Sequence, residues 1–141
     1  MFEELVEFII ENYRSAPRIV EVGVGHRIDV AKMLKQRLPS TEILVTDKNE
    51  SWPRLHRGVH VKGVADDVMS PHLPLYEHSS LIYSLHPPLE VVPGLERLCA
   101  KIGADLLIVP ISDEQGEFHR VGWQKIVRRG RTIGWFRPVQ A

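Results

Sequence analysis

The sequence predicts one α/β domain built on an open, mainly parallel sheet with helices on both faces. Three observations carry this expectation. Short apolar β-like runs alternate with segments of helical periodicity from the first residues to Val109. The run Asp105 to Val109 (DLLIV) is almost wholly apolar, as parallel strands covered on both faces are. A chain of 141 residues suits a single core, here assigned to residues 1–141, and leaves little room for a second module.

Each element has its own signal. Phe2, Leu5, Val6, Ile9, Ile10 and Tyr13 share one helical face, with Glu3, Glu4, Glu7 and Glu11 elsewhere. Arg18 to Val22 (RIVEV) reads as a first strand. Ile28, Ala31, Leu34 and Leu38 then recur at helical spacing until Pro39 and Ser40 stop the pattern. Glu42 to Thr46 (EILVT) makes a second strand, and Val59 to Lys62 a third. Ser80 to Leu85 (SLIYSL) forms a fourth, ended by Pro87 and Pro88.

The helical face Val91, Val92, Leu95, Leu98, Cys99 and Ile102 follows, with Gly103 as its C-cap. Pro93 inside it marks either a kink or the true start. Asp105 to Val109 is the fifth strand. The tail WQKIVRRGRTIGWFRPV reads as an antiparallel hairpin turning at Arg129-Gly130. Right-handed crossovers arrange the five strands in the order 3-2-1-4-5, and ligands are expected at the carboxyl ends where strands 1 and 4 diverge.

Composition narrows the classes. No apolar run approaches the ~20 residues of a membrane span. MFEELVEFIIENY carries glutamates and lacks a basic n-region, which argues against a secretory signal and for a cytoplasmic protein. The single Cys99 reads as a buried thiol. His56 and His60 have i, i+4 spacing, but Gly58 and Pro53 weaken any helix there, so no metal site is expected.

The net charge of zero hides an imbalance: all 18 acidic residues lie within positions 1–117, whereas Arg120, Lys125, Arg128, Arg129, Arg131 and Arg137 follow with no acid among them. A basic hairpin suggests an anionic partner, with Arg128, Arg129 and Arg131 as nucleic-acid phosphate contacts and Trp123, Trp135 and Phe136 for stacking if exposed.

The candidate ligand site gathers at the strand ends. Gly23 and Gly25 follow strand 1, where glycine permits a tight turn and a close backbone approach. Asp47 after strand 2 suits both ribose hydroxyls, or else a simple turn. Asp66 and Asp67 could meet the exocyclic amine of adenine, or cap a helix. His26 and Arg27 put positive charge at a helix N-terminus, offset by Asp29. Pro87 and Pro88 should hold His86 extended at the same crevice, where it is the candidate general base or a loop histidine.

In these residues the chain resembles class I S-adenosylmethionine-dependent methyltransferases, whose fold is Rossmann-like. Glu21-Val22-Gly23-Val24-Gly25 is similar to their first motif, Asp47 to their strand-2 acid and Ala65-Asp66-Asp67 to their strand-3 motif, a likeness spanning residues 18–110. The resemblance implies S-adenosylmethionine as cofactor, with Glu21, Gly23 and Gly25 by its methionine part, Asp47 at the ribose and Asp66 or Asp67 at the adenine. More narrowly, the short chain, the Leu-Ile-Tyr-Ser-x-x-Pro-Pro segment and the basic hairpin resemble an uncharacterised archaeal family of minimal methyltransferase-like proteins.

The departures are Arg27 for the third glycine, no strand-4 acid or amide, and about a dozen residues between strand 5 and the hairpin, too few for the usual helix. His86 and Leu89 also replace the first and last residues of the motif that amine-modifying members place around Pro-Pro. Three functions follow: an S-adenosylmethionine-binding protein acting on RNA or another anionic substrate, a non-catalytic nucleic-acid- or protein-binding module, and a dinucleotide-binding redox protein. The last would need glycine where Ile28 stands.

Overall fold

The structure, a computed structural model, describes residues 2–23, 28–49 and 61–139. Seven strands form one sheet in the order β3-β2-β1-β4-β5-β7-β6. They are β1 (Arg18–Val22), β2 (Glu42–Asp47), β3 (Lys62–Ala65), β4 (Ser79–Leu85), β5 (Asp105–Val109), β6 (Gln124–Arg128) and β7 (Arg131–Arg137). The first five pair in parallel, and the hairpin joins antiparallel, β7 against β5. The expected order therefore holds, and the hairpin extends the same sheet.

Strand alternation builds two apolar layers. Ile19, Ile43, Val45, Leu81 and Tyr83 face the helices α1 (Glu3–Asn12) and α2 (Asp29–Arg37). Val20, Val22, Leu44, Ile82, Leu106 and Ile108 face α3 (Val92–Ile102). Pro93 sits in the first turn of α3, after a 3-10 turn at Leu89–Val91, so it starts the helix and does not kink it. Cys99 is buried in this layer, and burial pushes its thiol up to about 12, which keeps it protonated and inert.

Two expectations shift. The third strand is Lys62–Ala65, so it begins where the strand expected at Val59 to Lys62 ends; Val59 and His60 lie outside the described residues. Its ladder to Leu44–Asp47 decides the matter, because pairing with β2 sets register more strongly than local composition. The short link from β5 to the hairpin holds a 3-10 helix, Ser112–Phe118. Phe118 packs there on Trp123 and Trp135. Both tryptophans are buried, so they belong to the core and are not stacking platforms.

Gly103 ends α3 with φ +82°, and its N–H donates to the carbonyl of Cys99. A Cβ at this position would meet nothing within 4 Å. Gly103→Ala should therefore cost only the left-handed backbone strain, ~1 kcal/mol, read as a lower denaturant midpoint with an unchanged slope.

Candidate functional site

At the carboxyl edge the first three strands end side by side. β1 pairs with β2 and β4, and the order reverses between β2 and β4, the position at which open α/β sheets generally bind ligands. Gly23 is exposed at φ +73°, and its N–H donates to the carbonyl of Thr46 at 2.8 Å. A Cβ there would lie 3.9 Å from Ser84 Oγ, so space is available and the left-handed turn is what requires glycine. Gly25, His26 and Arg27 lie outside the described residues, as do His56 and His60.

Asp47 is the last residue of β2. Its Oδ1 accepts the N–H of Asn49 at 2.9 Å, and its carbonyl accepts the N–H of Asp66 at 2.9 Å. Asp66 is half-buried. Its carboxylate accepts the Tyr76 hydroxyl at 2.6 Å and the His72 N–H at 3.1 Å. Asp67 is exposed and turns the chain, its Oδ1 accepting the Met69 N–H at 2.9 Å. Gly23, Asp47 and Asp66 are thus joined through backbone hydrogen bonds across three strands.

Glu21 faces the α1 and α2 layer directly beside Tyr83 of β4, at 1 % exposure. The Tyr83 hydroxyl donates to Glu21 Oε1 at 2.8 Å. Burial pushes the Glu21 carboxyl up to about 8; the Tyr83 bond opposes this, and Asp29 at the start of α2 adds to it. Tyr83 itself is raised well above the ordinary tyrosine value, first by burial and then by Glu21, so it remains a donor. At neutral pH the pair is mainly neutral, which removes most of the cost of burying a charge.

Near the end of β4, Ser84 Oγ donates to the carbonyl of Val22 at 2.9 Å. His86 is exposed with φ +54°, not extended as the prolines suggest. Its N–H donates to the carbonyl of Val109 at 2.7 Å, and this link between the ends of β4 and β5 overrides the local preference. Its ring lies 6.1 Å from that of Phe2.

The hairpin arginines are exposed but only partly independent. Arg131 pairs with Glu4 of α1 at 2.5 Å, and the Arg128 guanidinium sits 5.5 Å from the Phe8 ring centre. Arg128 and Arg129 line a groove of about 330 Å³ with Glu3, Glu4, Glu7 and Glu11. Among the described residues no helix is long and apolar enough to cross a membrane.

Sequence reasoning missed the two tyrosines. Tyr83 was legible as the β4 partner of β1 once register was known. Tyr76 lies in the aperiodic stretch between β3 and β4 and carries no pattern of its own.

The chain belongs to the uncharacterised protein family UPF0146, which matches over residues 1–131. It is similar to UPF0146 proteins of Archaeoglobus fulgidus, 37% identical over 121 residues with 86% of this chain and 87% of that one covered. The relative from Methanothermobacter thermautotrophicus is 33% identical over 132 residues, covering 94% and 91%. Among solved structures, the apo S-adenosylmethionine-dependent methyltransferase SibL aligns with a TM-score of 0.62 at 14% identity, over 96% of this chain. MtNAS in complex with MTA and tNA gives 0.64 at 15% over 96%, and TrmN from Thermus thermophilus 0.58 at 14% over 94%. The chain spans 55%, 58% and 47% of those three chains, respectively. The family therefore has a methyltransferase-like fold, as its motifs suggest.

The Glu21 pair has a pH signature. A carboxyl raised from about 4.5 to about 8 on folding holds more protons in the native state across that window, so its contribution is complete below the unfolded value and is lost as pH rises through the folded one. Wild-type stability relative to Glu21→Gln should fall by at most ~1.4 kcal/mol per pH unit across the window. Chemical denaturation at several pH values measures it, and a constant difference would place an ionised carboxylate at Glu21.

Proposed function

We propose that the carboxyl edge of β1, β2 and β3 binds S-adenosylmethionine, and that the protein is a minimal methyltransferase-like binder of this cofactor. The linkage of Gly23, Asp47 and Asp66 by backbone hydrogen bonds at the reversal of the sheet carries this reading. The Gly23 turn lets the thioether approach the backbone, and Gly25 belongs to the same motif. Glu21 serves the methionine end, where its carboxyl, neutral or ionised, has an acceptor to offer. Asp47 takes the ribose hydroxyls and Asp66 the adenine amine, while Asp67 shapes the turn beside it. The fold shared with the methyltransferase SibL supports the choice of ligand class.

A second reading concerns the acceptor. Because β7 runs antiparallel to β5, the Arg129-Gly130 turn lies on the same edge as the crevice. This favours an anionic methyl acceptor such as RNA, approached from the hairpin side by Arg128, Arg129 and Arg131.

Two outcomes are expected. S-adenosylhomocysteine at 100 times its Kd should stabilise the protein by ~2.7 kcal/mol, read as a higher Tm, and Asp47→Ala should lose about tenfold or more in affinity while folding normally. No Tm shift at millimolar ligand would remove the reading. For the acceptor, log affinity for single-stranded RNA should fall with log salt by ~0.7 per phosphate contact, and replacing the three arginines with Ser should flatten that slope by about two units. An unchanged slope would assign those charges to α1.

A further inference from the structure

Resting on the cofactor reading above, we propose that Tyr76 is a positioning residue for the nucleoside half of the ligand, its hydroxyl fixing the geometry of Asp66 relative to Asp47. The placement of the side chain is built from both ends. Arg18, at the amino end of β1, donates to the carbonyls of Leu75 and Glu77 at 2.9 and 2.8 Å, holding the backbone on either side of Tyr76. The ring is fully buried in the α3-facing layer with Val20, Val22 and Leu44. Its hydroxyl emerges at the opposite end of the sheet, 2.6 Å from Asp66 Oδ2 and 3.2 Å from Thr46 Oγ1.

Those two partners stand at the ends of β3 and β2. Thr46 accepts the Gly23 N–H on its carbonyl, and the next residue, Asp47, accepts the Asp66 N–H. One hydroxyl therefore closes a ring of bonds around the groups assigned to ribose and adenine. Burial and the adjoining carboxylate raise the phenol well above its ordinary value, so it stays protonated and donates. A carboxylate oxygen keeps a second lone pair when it accepts one bond, which leaves Asp66 able to take an adenine amine from the crevice side. A charge-assisted bond of this kind restricts the carboxylate to one orientation. The cost of immobilising it is then met during folding and not again on binding.

Tyr83 supplies the comparison within the same protein. Its hydroxyl donates to Glu21, the residue assigned to the methionine end, where that of Tyr76 donates to Asp66. The two ends can therefore be separated with ligand fragments. Titrations of wild type, Tyr76→Phe and Tyr83→Phe with S-adenosylhomocysteine and with 5′-methylthioadenosine, which lacks the amino-acid part, test the assignment. Tyr76→Phe should weaken both ligands by about tenfold, whereas Tyr83→Phe should weaken S-adenosylhomocysteine alone. A merely structural role would lower Tm without this split between ligands. Should Tyr76→Phe fail to fold, Thr46→Val removes the other bond of the same hydroxyl and should give a smaller loss for both ligands. Unchanged affinity of a folded Tyr76→Phe or Thr46→Val protein, with wild type binding normally, overturns the inference alone. Failure of wild type to bind either ligand overturns the cofactor reading and this inference together.

Discussion

The burial of β1 in the middle of a parallel sheet is the constraint on which the rest of the molecule depends. Ile19 and Val20 are fully buried, and the strand is hydrogen-bonded on both edges. No side of it is left for water. Sheet order reverses across this strand, the kind of position at which open α/β sheets bind ligands. The same burial makes Glu21 anomalous. It is the one acidic residue among the described residues in the buried class, and an ionised carboxylate there would cost several kcal/mol.

Protonation and a tyrosine partner answer that cost at β1, and a tyrosine partner does comparable work at β3. Tyr83 and Tyr76 each place an aromatic ring in the apolar layer and a hydroxyl on a carboxyl group at the strand ends. Stability alone does not call for this arrangement, since well-packed apolar residues commonly stabilise a core at least as well as a buried polar pair. What the tyrosines provide is a fixed partner for each acid, Glu21 fully buried and Asp66 half-buried. The contrast with Asp67 makes the point. That residue is exposed and accepts the N–H groups of Met69 and Ser70 just after it, as a turn aspartate does.

Elements with strong periodicity were legible in the sequence, and those fixed by distant pairing were not. β1 and β5 match their apolar runs residue for residue, and α1 and α2 follow their helical faces to within a residue. β3 did not, because KGVA has little apolar content and is held as a strand by its ladder to β2. His86 differed for the same reason: a hydrogen bond to Val109, 23 positions along the sequence, outweighs the preference set by the adjacent proline. Glycine and acid spacing singled out Gly23, Asp47 and Asp66, which the fold brings together at neighbouring strand ends. The tyrosines that orient the acids were hidden, since a hydroxyl partner has no spacing signature and depends on register and loop path.

The charge imbalance resolves in a similar way once distances replace composition. Arg137 lies 3.0 Å from Glu96 of α3, and Arg120 reaches the same carboxylate at 3.7 Å. Arg131 is matched by Glu4. Half of the basic tail thus secures the hairpin to helices on both faces of the sheet. Lys125, Arg128 and Arg129 remain on or beside β6, the outer strand, where charge discourages pairing with another chain's edge. Of these, Arg128 and Arg129 border the turn at the crevice end, alongside the glutamates of α1. An anionic partner at the turn would therefore meet a surface of mixed charge. The separation of charge along the sequence is a poor guide to the field in space, because the fold brings the basic tail back against the acidic first helix.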